Sequence, residues 1–179
     1  MNRDFENKFV QITYCIEAAH QRALQKANKE LIKLYWDIGK CITEEYDQED
    51  FEEIQLQDLS DFICNRYEGL NGFDLENLSM MKLMYETYKE HEFVYPLVFQ
   101  VNWINNMLIL QRSKTMRERE FYLRLSIREN YSKKELEVQF NNQTYRRHRE
   151  LTKKKSNNQG YYKDNSFFDE YTMEFLKMS

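Results

Sequence analysis

Asn77, Ser79, Lys82 and Lys89 follow a turn bounded by Gly69 and Gly72, in the stretch GLNGFDLENLSMMK and the residues after it. These residue types can grip a nucleic acid: asparagine pairs with adenine, and lysine meets guanine or phosphate. In a helix-turn-helix, the second helix enters the groove and sets its first turns against the bases. Asp74, Glu76 and Glu86 share the same segment, and a carboxylate beside a phosphate costs affinity. The turn is expected as a structural corner, with groove insertion as the competing reading.

A second set of residues is electrostatic. Arg112, Lys114, Arg117, Arg119, Arg124, Arg128, Lys133, Lys134, Arg146, Arg147, Arg149, Lys153, Lys154 and Lys155 fall in one stretch, where 14 basic side chains meet 6 acidic ones, net +8. Tyr122, Tyr131 and Tyr145 lie among them, suited either to stacking on bases or to a core. The competing reading is a solvated face laced by pairs such as Arg124 with Glu120.

Catalytic and metal chemistry are not expected. There is no paired-cysteine site, no His-Glu-x-x-His, no phosphate-cradling glycine loop and no Gly-x-Ser-x-Gly. His20, His91 and His148 are scattered. A PD-(D/E)XK nuclease needs an upstream aspartate and a Glu-x-Lys to hold a divalent metal and steady the attacked phosphate. Glu6-Asn7-Lys8 is the one such triplet, and no acidic strand precedes it. The acidic run EEYDQEDFEE lacks the glycine and alternating spacing of a calcium loop. No cofactor is expected.

The elements that would position these residues are helices. Phe5, Phe9, Ile12, Ile16, Ala19 and Ala23 step by four and three, and Ala27, Leu31, Leu34, Ile38 and Cys41 continue the stripe. A long first helix over 5–42 follows, with this stripe as its core face or as a seam for a homodimer. Further helices are expected over 53–67, 75–90, 102–111, 114–129, 133–151 and 167–177. Asp74 is suited to cap the third, and the SKKE sequence at Ser132 to Glu135 fits a capping box. FVYPLVF, residues 93–99, reads as a short extended segment. With four glycines and one proline, the chain is expected to be all-α, a multi-helix domain with a helix-turn-helix-like unit. The domain would span 1–151, a basic polar linker 152–166, and a C-terminal helix 167–179.

Charge is uneven. Residues 1–100 hold 10 basic and 20 acidic side chains, net −10, and residues 101–179 hold 16 and 10, net +6. A localised anion-binding surface in the second part is compatible with this. Three cysteines without metal spacing read as reduced, buried thiols of a cytoplasmic protein. No leader peptide and no membrane span are apparent.

Five motifs stand in order: NKELIKLYWDIGKCI (28–42), LQDLSDFI with GLNGFDLENLSMMK (56–82), VNWINNMLIL (101–110), REFYLRLSIRENYSKKELEVQF (119–140) and DEYTMEFLKM (169–178). Together they resemble the N-terminal domain of the YhcG-like family of bacterial and mobile-element proteins, from about Phe5 to Phe140 and over the last ten residues. In that family the domain precedes a PD-(D/E)XK nuclease domain. The resemblance implies an all-helical, helix-turn-helix-like module that binds nucleic acid or that positions the nuclease. Asp74 stands where the family favours serine, Ile104-Asn105 where it often has Ser-His, and Tyr131 where it favours tryptophan. The nuclease domain itself is not in the chain, so its activity is not carried over. The expected function is a non-catalytic nucleic-acid-binding or targeting module acting on DNA, with a nuclease as a further partner. The alternative is a protein-interaction or dimerisation domain that docks to a nuclease.

Overall fold

The computed structural model describes residues 3–45 and 53–158. Among them are eight helices and no strand: α1 (Arg3–Glu45), α2 (Glu53–Arg66), α3 (Leu75–Tyr88), α4 (Tyr95–Val98), α5 (Trp103–Arg112), α6 (Met116–Glu129), α7 (Lys133–Asn141) and α8 (Thr144–Asn158). The all-α expectation holds. No helix among the described residues is long and apolar enough to cross a membrane. The chain divides into two units, residues 1–130 and 131–179, and the stretch read as one domain to residue 151 runs across both.

In the first unit, α3 is the centre. Leu78, Met81, Met84 and Tyr88 are fully buried, and Met80 and Tyr85 nearly so. Its start is local chemistry: the Asp74 carboxylate accepts from the Asn77 backbone N–H at 2.9 Å. That bond holds the Asp74 carboxyl below its ordinary pKa range. The turn before it needs glycine at position 72, where φ is +93°.

α1 packs chiefly on α3. The helix is as expected, but its core face is not the expected stripe. Ile32, Tyr35, Gly39 and Ile42 are buried. Leu31, Leu34, Ile38 and Cys41 each precede one of these by a single residue, which turns them about 100° round the helix. Leu31 and Leu34 are 41% and 46% exposed. Residues 8–27 are exposed throughout, Phe9, Ile12 and Ile16 included. The core expectation for the first-helix stripe is thus corrected. Two apolar faces run along this helix, and periodicity alone does not say which one the rest of the chain covers.

Tyr85 donates its hydroxyl to the Glu44 carboxylate and ties the end of α1 to α3. This bond pushes the Tyr85 pKa up to about 12. Trp36 of α1 meets Tyr85, Tyr95 and Phe99 with ring centroids 5.0, 5.7 and 5.6 Å away. Residues 93–99 are not extended: Pro96 sits in the first turn of α4, where a missing N–H costs nothing. The buried Asn106 amide donates to the Val98 and Val101 carbonyls at 3.0 and 2.9 Å and binds this corner to α5. α6 contributes Phe121, Tyr122, Leu123 and Leu125, all nearly fully buried.

In the second unit, the capping box at Ser132 forms, with the Ser132 N–H donating to Glu135 at 2.8 Å. The single helix expected over 133–151 is two helices. Asn142 caps α7, and Gln143 takes a left-handed φ of +51°. α8 then continues to Asn158, through the first half of the expected linker. The expected helix 167–177 and the rest of the linker lie outside the described residues. Cys15 and Cys64 are exposed and Cys41 is half-buried, so the expectation of three buried thiols is corrected.

Candidate nucleic-acid interface

α2, the glycine turn and α3 follow one another as the sequence reading expected. The side chains that would read bases are, however, engaged inside the protein. The Asn77 amide donates to Asp74 at 2.7 Å and accepts the Trp103 indole N–H at 2.7 Å. The Ser79 hydroxyl donates to the Leu75 carbonyl at 2.8 Å. Lys82 pairs with Glu86 at 3.7 Å, and the Lys89 ammonium lies 5.7 Å from the Tyr85 ring centre. The α3 residues most open to solvent are Glu76, Leu83 and Glu86. Two of these three are carboxylates, so this face repels phosphate.

Asn77 therefore works as a structural bridge between the turn and α5. Asn77→Ala removes the Trp103 acceptor and one partner of Asp74. It is expected to lower stability by about 1–2 kcal/mol, measured by denaturant unfolding, while leaving nucleic-acid affinity unchanged. A fall in affinity at unchanged stability would return α3 to the role of reading helix.

The basic stretch is divided between the units. In the first, Arg124 pairs with Glu120 at 2.9 Å and Arg128 with Glu129 at 2.7 Å. Arg119 is half-buried, and its guanidinium acts on the buried Tyr88 phenol, whose pKa burial raises. Arg112, Lys114 and Arg117 are exposed. α6 carries four basic and three acidic side chains, so its own field nearly cancels. Tyr122, 1% exposed, belongs to the core and offers no ring for stacking.

In the second unit, α7 is balanced: Lys133 and Lys134 against Glu135 and Glu137, with Lys133 and Glu137 3.8 Å apart. α8 differs. Its 15 residues hold Arg146, Arg147, Arg149, Lys153, Lys154 and Lys155 against Glu150 alone, net +5. Arg146, Arg149 and Lys153 step by three and four and share one face, all exposed. Arg146 pairs with Glu150 at 3.1 Å, and Arg147 donates to the Thr144 hydroxyl at 3.4 Å. Arg149 and Lys153 hold no ion pair with another described residue. Burial holds the His148 pKa below its ordinary value, so it adds no charge at neutral pH.

Of the basic residues read from the sequence, the fold thus gathers those of α8 on a single helix, and it neutralises much of the remainder. The uninterrupted helix was the missed feature. Its signal was present, since no glycine or proline stands between Thr144 and Asn158, and lysine is a good helix former.

The comparisons with curated proteins and with solved structures gave no match. Residues 11–147 match the family described as the DUF1016 N-terminal domain, a span from the exposed half of α1 to the first turn of α8. Only this N-terminal domain is matched, and the chain belongs to that family, the YhcG-like one whose motifs its sequence carries.

Proposed function

We propose that this chain is a non-catalytic nucleic-acid-binding module, acting in the bacterial cytoplasm on DNA, and that α8 is its contact helix. The observation that carries this reading is the net +5 of α8 with a three-residue basic face in solvent. A helix of this charge releases counterions from a phosphate backbone without needing any particular base. The structural role of α3 supports backbone contact over base reading. In a cell, such a module holds a nuclease partner on its substrate.

The test is fluorescence anisotropy of the purified chain with labelled random-sequence duplex and single-stranded DNA over a salt series. The expected result is micromolar or tighter binding that weakens steeply with salt, with a slope of about −3 to −5 in log K against log salt, one unit per engaged cation. Absence of binding at low salt would end this reading and leave a protein-docking module. That rival is favoured by one observation, the uncovered apolar face of α1.

A further inference from the structure

The uncovered face of α1 is long and regular. Phe9, Ile12, Ile16, Ala19, Ala23, Ala27, Leu31, Leu34 and Ile38 continue one stripe over 30 residues, about 45 Å of helix. Phe9, Ile12 and Ile16 are 54%, 56% and 61% exposed, and every residue from 8 to 27 is exposed. A helix without tertiary packing is marginal in water, because most helical stability in proteins comes from a covered apolar face. This face needs a cover.

We propose that the cover is a second copy of this chain, with the two α1 helices antiparallel and crossing at Ala23. Size complementarity favours this occupant. Reversing the stripe about Ala23 sets Ile12 opposite Leu34 and Ala19 opposite Ala27, and brings Ile16 to within one residue of Leu31. Large residues then meet large ones, and the alanines let the axes approach at the centre. The free N-terminal half of each helix lies along the exposed outer face of the other. Charge agrees. α1 holds seven basic and seven acidic side chains, so self-pairing meets no net repulsion. It offers no field for a polyanion. The antiparallel order brings Lys8 within a turn of Asp37 of the other copy. A parallel order sets Glu30 against its own counterpart. The face that packs on α3 lies about 100° round the helix, so the core stays clear of the seam.

Sedimentation equilibrium at micromolar concentration tests the pairing. The expected mass is twice the 22.1 kDa of one chain. Ile16→Asp and, separately, Leu34→Asp should each return the mass of one chain. Both positions are in solvent in the single copy, so the circular dichroism of the remaining helices should persist. Amide exchange in residues 8–27 should rise at least tenfold in either variant. Orientation is read by a spin label on Cys15 in a chain carrying Cys41→Ser and Cys64→Ser. The antiparallel pair separates the two labels by 16 residues along the axis, about 24 Å. A wild-type mass of one chain would overturn the proposal, including the case in which residues 167–177 of the same chain cover the stripe. So would a dimer that Ile16→Asp leaves intact. Labels at Cys15 closer than about 15 Å would overturn the antiparallel order.

Discussion

Gly39→Ala will destabilise the protein by about 2 kcal/mol, although alanine is the better helix former. A Cβ at position 39 would stand 2.1 Å from the Met81 carbonyl oxygen and 2.7 Å from its carbon. The obstacle is the backbone of α3, which has no rotamer to change. α1 would have to move away from the helix that anchors the first unit, disturbing the buried face that carries Ile32, Tyr35 and Ile42. Forcing extra volume into a packed core costs about 1–3 kcal/mol, and an obstacle made of backbone puts this site at the upper end. Relief of glycine's helix penalty offsets about 1 kcal/mol. For a chain of this size, 2 kcal/mol corresponds to a drop in Tm of about 4–8 °C. Thermal and denaturant unfolding followed by circular dichroism check it. A gain in stability, the usual result of glycine to alanine in an open helix, would mean that α1 and α3 do not cross at Gly39.

The second large effect concerns binding. Replacing Arg146, Arg149 and Lys153 together with glutamine should weaken DNA affinity by about tenfold to a hundredfold at low salt, and flatten the salt slope by about 2–3 units. Glutamine keeps the helix, and surface replacements of this kind change stability by about 0.5 kcal/mol or less. Arg146 gives up its pair with Glu150, an exposed contact of little weight. The comparison variant is Lys82→Gln on α3, expected to leave affinity and slope where they are. Equal losses in both would mean that the field of the whole chain, and not α8, draws the nucleic acid. The measurement is the same anisotropy series, run on each variant at several salt concentrations.

Much of this architecture was legible in short segments. The spacing of Leu78, Met81 and Tyr85 placed α3, the Asp74 carboxylate marked its start, and Ser132 with Glu135 marked the start of α7. These are contacts between residues three or four apart, and the sequence carries them directly. The glycine turn before α3 was equally visible, because positive φ at position 72 leaves few alternatives.

The remainder depended on partners distant in the chain. Two apolar stripes run along α1, and only the arrival of α3 against Ile32, Gly39 and Ile42 decided which became core. Asn77 looked like a base reader until Trp103, 26 residues on, supplied the donor that occupies it. Pro96 reads as a breaker locally, yet the fold uses it in the first turn of α4, where Tyr95 and Phe99 close over Trp36. Local hydrogen bonding and capping determined where the helices lie. Which of their faces are buried, and which charges are left for a partner, was decided by long-range packing, because burial is a property of two surfaces and the sequence shows only one at a time.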